Sequence, residues 1–296
     1  MIVITGGLGF VGSNLISYFV NEDIICVDDF SLNSNLSNVE KAKIVLFLDK
    51  NSIFNFINEN NSEIDMVFHL GAIASTKCID DNKLFDNNTV FSVSLYEICK
   101  KFNIRFLFSS SSAIYANGEF ITNSYALSKK VAEDYMINYG NNIVLRFFNI
   151  YGPHEHHKKQ MASLPFVFYQ HIINNNKIKM FFDGNQSRDF VYVKDIVNVL
   201  AFFYSNPKIF GVFDVGTGES ITFKSIANKI SKLVDKNFKT EYMQPVIYDV
   251  NDYQFYTCAN IKPLEYVGYE KSILHFEEGM YQYLLYLQND YISGEK

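Results

Sequence analysis

A tyrosine followed four residues later by a lysine places a phenol and an ammonium on one face of a helix. The ammonium stabilises a phenolate, and a phenolate poised near neutral pH can take a proton from an alcohol. Moving a free phenol from its ordinary pKa of about 10 to about 7 requires roughly 4 kcal/mol of differential stabilisation. Three pairs have this spacing: Tyr96/Lys100, Tyr125/Lys129 and Tyr204/Lys208. With 20 tyrosines in 296 residues, spacing alone does not choose among them. Pro207 lies inside the third pair and argues against a continuous helix there. Tyr96 and Lys100 fall on a helix leading into a strand, away from that strand's C-terminal end. Tyr125 and Lys129 follow the serine run Ser109–Ser112 and open a helix near the carboxyl ends of the strands. Open α/β sheets bind their ligands there. The competing reading of this pair is a solvated helix face.

The elements that must position these groups are legible as alternating patterns. Ile2–Thr5, Ile24–Asp28, Ile44–Leu48, Met66–Leu70, Arg105–Ser109 and Ile143–Phe148 are short apolar runs suited to strands buried on both faces. Helical patterns lie between them, at about 10–20, 51–60, 84–102 and 125–139. The alternation predicts an α/β fold with a doubly wound parallel sheet of the Rossmann type over residues 1–150. After Pro153 the pattern is less regular, with helices expected near 162–175, 195–205, 223–235 and 272–288. Residues 151–296 are expected to form mainly a smaller C-terminal α/β substrate-binding lobe, some segments of which return to the main sheet.

The first strand runs directly into Gly7-x-Gly9-x-x-Gly12 and a helix follows at once. These glycines permit a tight turn and a close backbone approach to a pyrophosphate, and the helix N-terminus supplies N–H donors and a favourable dipole. Asp28 ends the second strand 21 residues after Gly7, where a carboxylate can accept hydrogen bonds from an adenosine ribose. The alternative is a glycine-rich turn in an unrelated α/β protein. Asp28 and Asp29 would repel a 2′-phosphate, and no base follows before Lys41, so NAD is expected rather than NADP.

Net charge is -6, which argues against a general nucleic-acid or membrane-surface binder. Only three arginines occur, Arg105, Arg146 and Arg188, so each deserves inspection wherever an anionic substrate sits. Cys26, Cys78, Cys99 and Cys258 form no CxxC pair, and a disulfide or zinc framework is not expected. The MIVITGG start shows no leader pattern and no apolar stretch is long enough to span a bilayer, so the expected location is the cytoplasm. The HEHH run at 154–157 is not HExxH, because position 158 is lysine. It reads as a polar pocket wall, and no metal is expected.

The motifs TGGLGFVG, DMVFHLGA, DNNTV, FSSSSAIY, YALSK, LRFFNIYGP, RDFVYVKD and VFDVGTGES run through almost the whole chain. Together they resemble the extended short-chain dehydrogenase/reductase family of nucleotide-sugar epimerases and dehydratases. The resemblance implies Tyr125 and Lys129 as the catalytic pair, also contacting the cofactor, and a catalytic, substrate-contacting serine at Ser111, with Ser110 and Ser112 as alternatives. It implies cofactor contacts at Gly6, Gly7, Gly9, Phe10, Val11, Gly12, Asp28, Asp29, Asp49, Leu70, Gly71, Ala72 and Asn87. Asn87 is further implied to hold the active-site helix and serine strand. Asn149 and Arg188 are implied to contact a substrate diphosphate, for which a guanidinium is well suited. A surface ion pair between Arg188 and Asp189 is the alternative. Related enzymes pair equivalent helices into a homodimer, and Val131, Tyr135 and Ile137 carry apolar groups at helical spacing here.

NIYGPHEHHKKQMAS at 149–163 and YQFYTCANI at 253–261 look most like the ADP-glycero-manno-heptose 6-epimerases. The likeness implies a second acid/base at Lys158 and a substrate contact at Tyr253. Inverting a centre through a ketone returns hydride to the opposite face, so bases on two sides can serve the two orientations. The alternative is that Lys158 and Lys159 attract a phosphate or line a solvated loop. Two departures stand out. Only nine residues separate Tyr115 from Tyr125, about half the family's usual number, and bacterial heptose epimerases tend toward NADP. The expected activity is therefore an NAD-dependent epimerase acting on a nucleotide-linked heptose. The competing activities are a net dehydrogenase releasing a keto-sugar, for example at C4 of a GDP-heptose, and a catalytically silent NAD-binding protein.

Overall fold

The computed structural model describes residues 1–30, 39, 42–74, 80–115, 121, 123–140, 142–243 and 254–293. The chain opens with β1 (Ile2–Thr5), α1 (Phe10–Tyr18), β2 (Ile24–Asp28), β3 (Ile44–Asp49), α2 (Ile53–Asn60) and β4 (Met66–His69). It continues through α3 (Asp81–Phe85), α4 (Phe91–Lys101), β5 (Arg105–Ser111), α5 (Ser124–Tyr139), β6 (Ile143–Phe147) and β7 (Asn149–Tyr151). The later elements are α6 (Leu164–Asn175), β8 (Lys177–Phe181), β9 (Ser187–Arg188), β10 (Phe190–Tyr192), α7 (Val193–Ser205) and β11 (Gly211–Val215). They end with β12 (Ile221–Thr222), α8 (Phe223–Leu233), β13 (Lys239–Met243), α9 (Lys262–Tyr266) and α10 (Phe276–Ser293).

Seven strands form one sheet in the order β11-β6-β5-β4-β1-β2-β3, and all neighbours run parallel. The chain winds outward from β1 in both directions, so a crevice opens at the carboxyl ends of β1 and β4. Successive side chains alternate between faces. Ile2 and Ile4 join Leu15, Ile16, Leu200 and Phe203 on one side, whereas Val3 joins Ile57, Leu95, Phe108 and Met136 on the other. A third core beyond the sheet packs Tyr151, Phe168, Tyr192, Ile226, Met280 and Tyr283. Smaller two-stranded pairings, β10-β7, β12-β9 and β13-β8, shape this second lobe.

Three sequence expectations need correction. The apolar run at β3 is not buried on both faces: Val45, Leu46 and Phe47 are exposed, because β3 is the last strand and has one neighbour. A run of apolar residues does not by itself separate a central strand from an edge. The helix expected over 84–102 is interrupted by a π-helical turn at Asp86–Val90 between α3 and α4. Finally, the 272–288 pattern resolves as α10, beginning at Phe276.

Arg105 is committed to structure. Its guanidinium donates to the Tyr204 carbonyl at 3.0 Å and to the Phe203 carbonyl at 2.5 Å, so it caps the C-terminal end of α7 where the dipole favours a cation. Cys26 and Cys99 are buried free thiols that pack as small apolar groups, and burial pushes both up to about 12. Cys78 lies outside the described residues. Among the described residues, no helix is long and apolar enough to cross a membrane.

Candidate active site

The crevice is a cavity of about 680 Å³ at the carboxyl ends of the central strands. β1 ends at Thr5, and the chain turns through Gly6 at φ +65 before entering α1 at Phe10. A Cβ on Gly12 would lie 2.1 Å from the Gly6 carbonyl oxygen, so the first turn of the helix rests directly on the loop. Gly6, Gly9, Phe10, Val11 and Gly12 line the cavity, which therefore meets the N-terminus of α1. Gly7 faces inward, where an added Cβ would lie 2.6 Å from the Cys26 sulfur. This cradle fits a dinucleotide pyrophosphate: it combines close backbone approach with unsatisfied helix N–H groups.

Asp28 and Asp29 stand on the cavity wall next to the loop. The Asp28 carboxylate accepts from Leu8 N and from Asp29 N, both at 2.8 Å, so it braces the glycine turn. Lys50, which the sequence reading passed over, also lines the cavity; its ammonium pairs with Asp29 at 2.8 Å and donates to Asn87 Oδ1 at 3.3 Å. Its position directly after β3 was the available signal, because residues at the carboxyl ends of such strands face the ligand crevice. Asp49 is not on the wall. It accepts from Asn51 N at 2.9 Å and caps the short 3₁₀ turn that carries Lys50.

Leu70, Gly71, Ala72 and Asn87 line the same cavity, while the bonds that tie this region to the active-site helix come from Asn88 and from Thr89, which donates to the Ser128 carbonyl at 2.9 Å. Asn88 pairs with both backbone groups of Ile73, at 2.8 and 3.0 Å, and donates to the Ser128 hydroxyl at 3.2 Å. Asn87 itself lines the cavity and donates to Asn88 Oδ1 at 3.1 Å, so it is bonded to α5 through its neighbour. Asn87, Asn88 and Thr89 all lie in the π turn Asp86–Val90. Beneath it, His69 bridges Thr5 Oγ1 at 2.6 Å and Ser92 Oγ at 2.8 Å. Burial first, then the Lys129 charge, hold this imidazole down at about 3.

α5 delivers the phenol and ammonium. Asn123 caps it by accepting from Ala126 N at 2.7 Å, a contact worth about 1 kcal/mol. Tyr125, in the first turn, is hydrogen-bonded to Ser111 at the end of β5. Burial raises the phenol above its ordinary value and the Ser111 bond opposes that shift. One turn on, Lys129 is buried, donates to the Ser109 carbonyl at 2.8 Å and lies 4.7 Å from the centre of the Phe108 ring. Burial lowers its ammonium to about 7. The hydroxyl that meets the phenol is therefore that of Ser111, whereas Ser110 donates to Glu133 at 2.5 Å.

The second lobe contributes Lys158, from the 3₁₀ turn His156–Met161, to the same cavity. Its ammonium lies 5.0 Å from the centre of the Phe10 ring, and burial lowers its pKa against the opposing pull of Glu155. Glu155 is fully buried and accepts from Gly152 N, Ser163 N and Ser163 Oγ at 3.0, 2.6 and 2.9 Å. His154 is within hydrogen-bond distance of Ser13 Oγ at 3.0 Å. The HEHH segment thus fastens the second lobe to α1.

Asn149 and Arg188 are not on the cavity wall. The Asn149 amide donates to the Asp189 carbonyl at 3.2 Å, and Arg188 donates to the Ser187 carbonyl at 2.9 Å beside the Phe223 ring. The Asp189 carboxylate is engaged by Thr217, Gly218 and Ala259. Tyr253 lies outside the described residues.

The profile of the NAD dependent epimerase/dehydratase family matches residues 2–216. The chain belongs to this family. It is an NAD-dependent enzyme of the extended short-chain dehydrogenase/reductase type. An ADP-L-glycero-D-manno-heptose-6-epimerase of Brachyspira hyodysenteriae is 33% identical over 311 residues, covering 96% of each chain. A UDP-N-acetylglucosamine 4-epimerase of Methanobrevibacter ruminantium has a similar structure, with TM-score 0.86, 24% identity and 98% coverage of each chain. The Helicobacter pylori ADP-L-glycero-D-manno-heptose-6-epimerase gives TM-score 0.84 and 24% identity, covering 97% of this chain and 96% of that one.

Proposed function

We propose that this family member inverts a carbon of a nucleotide-diphosphate-linked heptose through a transient keto-sugar. The observation that carries the proposal is Lys158 in the same cavity as Tyr125, in a chain 33% identical to a heptose 6-epimerase along nearly its full length. Tyr125 takes the proton of the sugar hydroxyl while Ser111 holds the oxygen, and the Lys129 ammonium stabilises the phenolate. The cavity walls from Gly6 to Gly12 and around Tyr125 and Lys129 would hold NAD, which would supply the hydride acceptor. Lys158 serves the keto-sugar in its second orientation, providing the proton from its own side of the cavity.

On this reading residues 1–150 serve the dinucleotide and 151–296 mainly the sugar, with β11 returned to the main sheet. Gly6 to Gly12 hold the pyrophosphate and Asp28 the adenosine ribose. The substrate contacts of Asn149, Arg188 and Tyr253 rest on the family likeness alone, since Asn149 and Arg188 lie off the cavity wall. The protein works in the cytoplasm as a homodimer joined through α4 and α5, a reading supported by the exposure of Leu127, Val131 and Ile137. The nine-residue spacing between Tyr115 and Tyr125 favours one second reading, a net dehydrogenase that releases the keto-sugar. Incubation with ADP- and GDP-linked heptoses and NMR of the products separates the two. An inverted sugar supports the epimerase, a stable ketone supports the dehydrogenase, and no conversion of any substrate overturns both.

A further inference from the structure

Three consecutive serines of β5 meet three turns of α5. The Ser109 carbonyl accepts from Lys129, the Ser110 hydroxyl donates to Glu133, and the Ser111 hydroxyl meets Tyr125. Tyr125, Lys129 and Glu133 are spaced by four and so lie along one stripe of the helix. A slip of one residue would rotate that stripe by about 100° and carry the phenol away from Ser111.

Glu133 is fully buried, and both of its oxygens are engaged. One accepts from Ser110 at 2.5 Å; the other accepts from Arg146 Nε at 3.0 Å and Nη2 at 2.5 Å. Arg146 comes from β6 and donates its remaining arm to the Tyr115 hydroxyl at 2.6 Å. That hydroxyl donates to Asp214 of β11 at 2.6 Å, and Asp214 accepts from Asn260 N at 3.0 Å. The carboxylate on α5 is thus anchored through β5, β6 and β11. A buried ion pair seldom adds net stability, because desolvating both charges offsets most of their attraction. Its directional bonds do specify where the helix sits.

We propose that Glu133 is a positioning residue, whose carboxylate, held by Ser110 and Arg146, sets the register of α5 against β5 so that Tyr125 meets Ser111. The proposal rests on the reading of Tyr125 as the base.

The test uses the NAD-bound protein and needs no substrate. Phenol ionisation at Tyr125 is followed by ultraviolet difference titration of the parent against Tyr125→Phe. Ser110→Ala removes one bond to Glu133 and leaves the Arg146 pair in place. We expect Ser110→Ala and Glu133→Gln to raise the Tyr125 midpoint by about half a unit or more. We expect NAD affinity to stay within about twofold, and Ser110→Thr, which keeps the hydroxyl, to restore the parent midpoint. With a turned-over nucleotide sugar, the same variants should lower kcat about tenfold and leave KM nearly unchanged. If Glu133→Gln does not fold, Ser110→Ala decides alone. A parent-like midpoint in folded Ser110→Ala overturns the positioning role, even if its melting temperature falls. A parent in which Tyr125 titrates as an ordinary tyrosine overturns the base itself, and that result is reached without any Ser110 or Glu133 variant.

Discussion

Two lysines, one buried and one partly buried, reach one cavity by different routes. Lys129 stands on a capped helix, donates to a strand carbonyl and belongs to a seam bonded at three successive serines. Lys158 stands on a 3₁₀ turn whose two flanks are drawn together by a single side chain, Glu155, through Gly152 and Ser163. Burial lowers both ammonium groups. The difference lies in how each is held. Lys129, the proposed partner of the Tyr125 base, is held by regular secondary structure, whereas Lys158, the group proposed for inversion, depends on a turn stapled by Glu155. The first arrangement suits chemistry shared by many sugars, and the second suits one that varies with substrate.

The largest effect expected from breaking this comparison is at the rigid seam. Tyr125→Phe should retain NAD and lose about two to four orders of magnitude in turnover, as is usual for an acid/base group. Steady-state rates with NAD affinity measured alongside would check this; near-normal turnover would remove Tyr125 from the mechanism.

Lys158→Met comes next. It should block inversion while leaving sugar oxidation within about tenfold of the parent, since Tyr125 still acts from its own side. Mass spectrometry of quenched mixtures should find the keto-sugar. If Lys158 only attracts phosphate, KM will rise and kcat will be spared, the mark of lost uniform binding.

A smaller effect of the same kind is expected for Glu155→Ala. Removing a carboxylate that satisfies one buried and two partly buried donors should cost about 1–3 kcal/mol of stability and slow inversion more than oxidation. Denaturant melts and partitioned product yields would test it, and equal slowing of both steps would erase the contrast between the lobes.

The contrast also explains how much was legible beforehand. The bounds of β1 and β2 follow from apolar runs ended by glycine and by Asp28, and the Tyr125/Lys129 pair follows from its place after a serine-ended strand. These signals are local and periodic. The bonds of Asn88 and Thr89 to Ser128 are not legible in the same way, because the π turn that carries them has no simple periodic signature. Glu133 was overlooked although it continues the spacing of 125 and 129, since its partner Arg146 is supplied only when β6 pairs beside β5. Lys50 meets Asp29 for a similar reason, through the pairing of β2 with β3.

Cofactor discrimination should respond more modestly. NAD should bind more tightly than NADP, and Asp28→Ala should narrow that gap by about tenfold, as read by calorimetry. Tighter NADP binding by the parent would contradict the assignment and would point to Lys50 as a phosphate partner.

The smallest effect concerns His69 on the rigid side. Its pKa is near 3 in the fold against an ordinary 6.5, so the unfolded chain takes up the proton first. The stability held by the neutral ring is present above 6.5 and is lost as pH falls through that window toward 3. Thermal melts across the window should show a slope that His69→Asn reduces, and identical slopes would refute the linkage.

The central claim is that one cavity oxidises and then inverts the same carbon. Its most direct test is an ADP-linked manno-heptose deuterated at C6, incubated with the NAD-bound protein and followed by NMR. The account predicts inversion at C6 with deuterium retained on that carbon in the product. A released ketone, or unchanged substrate in the presence of bound NAD, would contradict it.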